Sequence, residues 1–301
     1  MSDRVTIGRS LEALVHRHAI AGTGRPDVLV GLVGRGIQLS RSPVMHESEA
    51  ARLGLSCAYV LIDFDALRLD DGDLAGVLDA AARLGFRGVN VTYPFKQAVL
   101  PLLDDVAPEA GAIGAVNTVV FGQMRVGHNT DCWGFAESFR RQMADVPLGR
   151  VAVFGAGGAG SAVATALVEL GAREIAIVDS DDIRADELVR RLGGGRAAFA
   201  VAQDARTAVL SADGLVNTTP VGMARHPGTP FPPEFLHAGQ WVADVIYFPQ
   251  ETELLRRARA IGCRTLPGTG MAVGQAARAF ELFTGRAADM GAMADHFGAA
   301  A

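Results

Sequence analysis

Lysine is almost missing from this chain. Among 301 residues there are 28 basic ones, and Lys96 is the only lysine; all the others are arginine. Basic charge as a whole is in deficit: 33 acidic residues give a net charge of −5 with the histidines neutral. No Lys/Arg block occurs, which argues against nucleic acid or an anionic membrane as the main partner. Cysteine is scarce too. Cys57, Cys132 and Cys263 form no paired pattern, and an odd, scattered set suits a reducing cytoplasm. The seven histidines are equally dispersed, and no Cys/His spacing suggests a metal. Long uncharged apolar runs are absent, so no stretch approaches the ~20 residues of a membrane span. Asp3, Arg4, Arg9, Glu12 and Arg17 leave no signal-peptide core in the first twenty residues. What is present, 49% hydrophobic and 20% charged residues, is the composition of a folded chain long enough for two domains. The expectation is a cytoplasmic globular protein.

Glycine, with 36 residues, clusters at the ends of short apolar runs. That is the punctuation of alternating strands and helices. Val28–Val33 reads as a buried strand, followed by a turn at Gly34 and Gly36 and a helix from about Pro43 to Leu53. Further strands are expected at Ala58–Ile62, Gly88–Val91, Leu148–Phe154, Ile175–Val178, Gly214–Asn217 and Trp241–Val245, with a helix at Leu74–Arg83. The alternation predicts an α/β protein with parallel sheets covered on both faces. A boundary is placed near Asp131, before a helix-like Trp133–Met143. The helix Met271–Phe283 follows a Gly-rich turn and is expected to pack back on the first domain.

The strongest local motif is Gly155-Ala156-Gly157-Gly158-Ala159-Gly160, between the strand Val151–Phe154 and the helix Ser161–Leu170. A second strand then leads to Asp179. This is the dinucleotide fingerprint in its required context: a tight turn, close backbone approach to a pyrophosphate, close helix–strand packing and a helix N-terminus facing negative charge. Asp179 has two readings, as an acceptor for the adenosine ribose hydroxyls or as a cap of the next helix. Asp179, Asp181 and Asp182 would oppose a 2′-phosphate, with only Arg184 to offset them and available to stack on adenine. NAD is therefore the expected cofactor.

Lys96 lies in Asn90-Val91-Thr92-Tyr93-Pro94-Phe95-Lys96. Pro94 suits the first position of a helix, which places Lys96 near the positive end of the macrodipole and disfavours the ammonium form. Unlike arginine, lysine can give up its proton, so the position supports proton transfer. The bland alternative is one survivor of a biased codon usage. Ser40-Arg41-Ser42-Pro43, Gly114-Ala115-Val116-Asn117-Thr118 and His128-Asn129-Thr130-Asp131 read singly as caps or turns. Together they suit a small polyhydroxylated ligand bearing a carboxylate.

Those blocks, with Asn217-Thr218-Thr219-Pro220-Val221-Gly222-Met223, Asp244–Tyr247 and Met271–Gln275, resemble the shikimate dehydrogenase family from about Val30 to Gly285. The likeness is to its NAD-dependent quinate/shikimate dehydrogenase branch especially. The resemblance implies an N-terminal substrate-binding domain (1–130), a Rossmann NAD-binding domain (131–267) and a C-terminal segment (268–301) returning to the first. It implies a catalytic pair, Lys96 and Asp131. Ser40, Ser42 and Tyr247 would hold the substrate carboxylate, and Thr92, Asn117 and Gln275 the ring hydroxyls. Val245 and Gly268 would lie near the nicotinamide, with Thr218 on a loop beside the cofactor. Relatives using NADP often carry Asn-Arg-Thr where this chain has Asp179-Ser180-Asp181, and quinate-preferring ones often have Thr at the place of Ser42. The implied partner is shikimate or quinate, with another hydroxylated cyclic acid such as aminoshikimate as the alternative substrate. A non-enzymatic NAD-binding sensor is the rival from another class. The sequence leaves a homodimer open.

Overall fold

The computed structural model describes residues 4–19, 25–195, 197–202 and 204–299. The chain divides into two compact units, Met1–Thr130 with Ala276–Ala301, and Asp131–Gln275.

The first unit carries α1 (Arg4–Ala19), β1 (Val28–Gly34), α2 (Ser42–Arg52), β2 (Cys57–Asp63), α3 (Leu74–Arg83), β3 (Gly88–Val91), α4 (Phe95–Ala98), β4 (Asp105–Val106), α5 (Pro108–Ile113), β5 (Thr118–Phe121) and β6 (Arg125–His128). Its six strands run in the order β2-β1-β3-β5-β6-β4. Every residue of β1 is buried, as expected for an unbroken apolar run between two parallel neighbours. Alternate side chains serve opposite faces of the sheet. Leu29 and Val33 join Ile7, Leu11, Val77 and Leu78 in one cluster. Val28, Val30 and Leu32 join Tyr59, Ala279 and Phe283 in another.

This sheet is mixed, which corrects the expectation of parallel sheets. β5 pairs antiparallel with both β3 and β6. The reason is connection length: Gly122–Met124 joins β5 to β6, closed by a Gly122 N–H bond to the Met124 carbonyl, and a parallel crossover needs about a dozen residues.

The second unit begins within α6 (Thr130–Gln142) and continues through β7 (Arg150–Phe154), α7 (Gly158–Leu170), β8 (Glu174–Val178), α8 (Asp182–Leu192), β9 (Ala198–Val201), α9 (Ala205–Leu210), β10 (Gly214–Asn217), β11 (Trp241–Asp244), α10 (Glu253–Ala260) and β12 (Arg264–Leu266). All its strand pairs are parallel, in the order β12-β11-β10-β7-β8-β9. That is the doubly wound order with its switch point between β7 and β10.

Two helices close the chain, α11 (Thr269–Thr284) and α12 (Met290–Ala299). The sequence reading starts the returning segment at Gly268, whereas the division falls at Ala276, inside α11. Close packing explains the difference. A Cβ on Gly270 would fall 2.1 Å from Ser138 Oγ, and one on Gly274 would fall 2.8 Å from Gly134 Cα, so the first half of α11 lies against α6. Beyond it, Ala279 and Phe283 enter the first unit's core. α12 packs on α2: the Asp289 N–H donates to Glu49 at 2.8 Å, and Arg41 donates to the Phe297 carbonyl.

Candidate active site

In the first unit the C-terminal ends of β1, β3 and β6 lie on one edge of the sheet, and the start of antiparallel β5 joins them. The polar blocks sit there. The Thr92 N–H donates to the Val33 carbonyl (2.9 Å), Arg35 N–H to the Tyr93 carbonyl (3.1 Å), Val91 N–H to the Asn117 carbonyl (2.8 Å) and Val116 N–H to the Lys96 carbonyl (2.8 Å). Three stretches far apart in sequence, Val33–Arg35, Val91–Lys96 and Val116–Asn117, are thereby tied into one rim. Ser40 Oγ donates to Ser42 Oγ at 3.2 Å and accepts from the Ser42 N–H at 3.3 Å, where Ser42 opens α2. Lys96 is half-buried in α4, a single turn whose N-cap is Pro94 and which follows a cis Tyr93–Pro94 peptide. Pro94 is thus outside the helix, and the dipole behind Lys96 is that of four residues.

Asn117 is buried and well occupied. Its Oδ1 accepts from the Thr130 N–H (2.8 Å) and Thr118 Oγ (3.1 Å), while its Nδ2 donates to Thr130 Oγ (2.9 Å). It therefore fixes the turn leading into α6, and one amide hydrogen remains for a ligand. Behind it, Tyr59 Oη donates to Asn90 Oδ1 (2.9 Å), and Asn90 Nδ2 donates to Thr118 Oγ (2.9 Å). Asn90 and Tyr59 carry no signal in the sequence that marks this chain of bonds.

In the second unit the glycine motif lies at the switch point. Gly155 has φ +106°, and a Cβ on Gly160 would fall 1.9 Å from the Gly155 carbonyl oxygen, so neither position accepts a side chain. A Cβ on Gly157 meets nothing within 4 Å, and Gly157 caps α7 without any side-chain bond. Open space beside the uncapped first turn at Gly158 and Ala159 fits a pyrophosphate. Thr218, after β10, locks this loop by donating to the carbonyls of Phe154 (2.7 Å) and Gly155 (3.0 Å).

Asp179 follows β8 and accepts from the Ala156 N–H at 2.6 Å and the Asp181 N–H at 2.9 Å. The helix-cap reading of Asp179 is corrected: Asp181 caps α8, accepting from the N–H groups of Ile183 and Arg184. Arg184 pairs with Asp181 at 3.2 Å and is mostly exposed. Asp131 lies buried in the first turn of α6, and Gln275 donates to the Ala272 carbonyl of its own helix at 3.0 Å. Tyr247 is half-buried just past β11. Gly268 packs on the backbone beside Val245, where a Cβ would lie 2.4 Å from the Val245 carbonyl oxygen.

Two carboxylates have no role in the sequence reading, although Asp244 stands in one of its motif blocks. Asp244, at the end of β11, accepts from the Ile246 N–H (3.0 Å), Asn217 Nδ2 (3.1 Å) and Thr252 Oγ (2.8 Å). Burial pushes its carboxyl up to about 6 in spite of these donors. Asp63, at the end of β2, accepts from the loop that leads to Ser40. No cluster of metal-binding side chains occurs among the described residues. None of their helices is long and apolar enough to cross a membrane.

Comparison with known proteins gives the family. Residues 32–119 match the shikimate dehydrogenase substrate binding domain, 134–205 the ThiF family, and 268–296 the shikimate 5'-dehydrogenase C-terminal domain. Shikimate dehydrogenase (NADP(+)) of Streptomyces avermitilis is 54% identical over 87% of this chain and 91% of its own length. Quinate/shikimate dehydrogenase (NAD(+)) of Corynebacterium glutamicum is 47% identical over 90% of this chain and 98% of its own. The structure of quinate dehydrogenase from Corynebacterium glutamicum in complex with NAD superposes with a TM-score of 0.84 at 45% identity, covering 90% of this chain and 99% of that one. With a two-domain α/β fold, a doubly wound dinucleotide-binding unit and relatives matched over nearly their full length, the chain belongs to the shikimate dehydrogenase family of nicotinamide-dependent oxidoreductases.

Proposed function

We propose that the protein is an NAD-dependent dehydrogenase that interconverts shikimate and 3-dehydroshikimate, quinate and 3-dehydroquinate, or both. The observation that carries the cofactor half of this reading is Asp179. Its carboxylate stands at the end of β8, held by the Ala156 and Asp181 N–H groups, with Asp181 and Asp182 beside it. Each oxygen keeps lone-pair capacity for ribose hydroxyls, whereas a 2′-phosphate would meet like charge. Arg184 offsets little of this, because its guanidinium is paired with Asp181. The expected preference for NAD over NADP is about tenfold to several hundredfold.

A bound nicotinamide would supply the hydride chemistry, as donor in reduction and acceptor in oxidation. The chain's own residues then handle the proton and the position of the ring. Lys96 takes the hydroxyl proton in oxidation and returns it in reduction, and Asp131 accepts a hydrogen bond from the neighbouring hydroxyl. Ser40, Ser42 and Tyr247 hold the substrate carboxylate. Thr92, Asn117 and Gln275 bind ring hydroxyls, while Val245, Gly268 and Thr218 border the cofactor. The proposed partitioning is a substrate-binding domain of Met1–Thr130 with the returning Ala276–Ala301, and a cofactor domain of Asp131–Gln275.

Initial rates with shikimate and quinate, each against NAD and NADP, test the reading. Turnover of either acid with a clear advantage for NAD is expected. A preference for NADP overturns the cofactor assignment, and inertness toward both acids overturns the substrate class.

A further inference from the structure

The loop that bears Ser40 and leads to Ser42, the first residue of α2, has no secondary structure of its own between β1 and α2. It turns at Gly36 (φ +62°) and then approaches a single buried carboxylate. Asp63 is only 2% exposed. Its Oδ1 accepts from the Gly36 N–H (3.0 Å), and its Oδ2 accepts from the Ile37 N–H (3.1 Å) and Gln38 Nε2 (2.9 Å). From Ile37 the geometry passes on directly: the Ser40 N–H donates to the Ile37 carbonyl at 2.9 Å, and the two serine hydroxyls are bonded to each other at 3.2 Å. We infer that Asp63 is a positioning residue for substrate binding, which presets the Ser40–Ser42 loop in the conformation that receives the substrate carboxylate.

Two features favour this over a purely structural carboxylate. Asp63 also accepts from the Asp65 N–H next to its own strand, but three of its four donors belong to the serine loop. Burial opposes its ionisation, yet the bonds from Gln38, Asp65, Gly36 and Ile37 outweigh that and hold the carboxyl below its usual range. The loop is thus gripped by an anion throughout the neutral range, and Asp63 itself is bonded to loop donors and not presented to a ligand. Ordering a loop before the ligand arrives lowers the cost of binding without touching the chemical step.

The inference rests on the proposed role of Ser40 and Ser42, so those serines are tested beside it. Asp63→Asn keeps the shape but turns an N–H₂ group toward loop donors. It is expected to raise the KM for shikimate or quinate about tenfold, with kcat and the cofactor KM within about twofold of wild type. Gln38→Ala removes one loop bond while leaving Asp63 in place, and is expected to raise the same KM about threefold with an unchanged Tm. If Asp63→Asn does not fold, Gln38→Ala decides alone. A lower Tm or a smaller active fraction with an unchanged substrate KM in both variants overturns the inference. Ser40→Ala and Ser42→Ala separate the two levels. If they raise the substrate KM while the Asp63 and Gln38 variants do not, the positioning role falls and the carboxylate assignment stands. If the serines themselves leave KM unchanged, the assignment beneath it falls.

Discussion

Lys96 is the residue on which the proposed chemistry is most directly probed. The bond that ties its turn to the Asn117 loop is made by its backbone carbonyl, accepting from the Val116 N–H, and survives any side-chain change. Lys96→Ala should therefore leave fold and cofactor affinity in place while lowering kcat about a hundredfold or more, the usual scale for a lost general acid/base. Lys96→Arg is expected to be nearly as poor, because a guanidinium keeps its charge but cannot accept the proton. Steady-state rates with isothermal titration of the cofactor check both variants. Recovery of most activity by arginine would show that only positive charge is required. In a chain that otherwise uses arginine for every basic position, that contrast is sharper than usual.

The junction of β7, β8 and the glycine loop carries the choice of cofactor, and Asp179 allows charge to be separated from hydrogen bonding there. Asp179→Asn can still accept from the Ala156 N–H, so the loop should hold its shape while the repulsion of a 2′-phosphate weakens. The NAD-to-NADP ratio of kcat/KM should then fall by about tenfold, chiefly through improvement with NADP. Asp179→Ala also leaves the buried Ala156 N–H unpaired, at a cost of about 1–3 kcal/mol, and should lower Tm as well. An unaltered ratio in both variants would remove Asp179 from cofactor selection. This junction was legible in the sequence because its determinants are local: a glycine spacing, a following helix and an acid after the next strand. The apolar runs of β1, β3 and β10 were legible for the same reason. What escaped depends on remote pairing. The β5–β6 hairpin has Gly122-Gln123-Met124 as its loop, without a strong turn dipeptide. Asp63 takes its meaning from backbone N–H groups on another loop, and an N–H has no letter of its own; Asp244 takes its meaning from Asn217 and Thr252, remote in sequence. The division of α11 depends on how closely Gly274 meets Gly134, a fact of packing and not of periodicity.

The two units are expected to answer mild acid in opposite ways, because each buries one group that titrates abnormally between pH about 4 and 6.5. In the first, His46 on α2 lies among Tyr59, Phe280 and Phe283 with neither ring nitrogen hydrogen-bonded. Burial drives it from its ordinary 6.5 down to about 3, so the folded chain keeps it neutral while the unfolded chain takes up a proton. Its contribution is full above pH 6.5 and is lost as the pH falls toward 3. In the second unit Asp244 is raised from 3.8 to about 6, so there the folded chain binds the proton more tightly. That contribution is full below pH 3.8 and is lost as the pH rises through about 6. Going from pH about 7 to about 5 should therefore cost the first unit about 2 kcal/mol and add about 1 kcal/mol to the second. Hydrogen exchange corrected for its intrinsic pH dependence reads this directly: amides of β1 and β2 should lose protection while those of β10 and β11 gain it. His46→Leu replaces an unpartnered imidazole with an apolar side chain and should abolish the first change, raising the unit's stability at neutral pH by about 1–2 kcal/mol. Asp244→Asn should abolish the second change alone. A parallel loss of protection in both units of the wild type would show that these two groups do not govern the response, and that a titration common to the whole chain does.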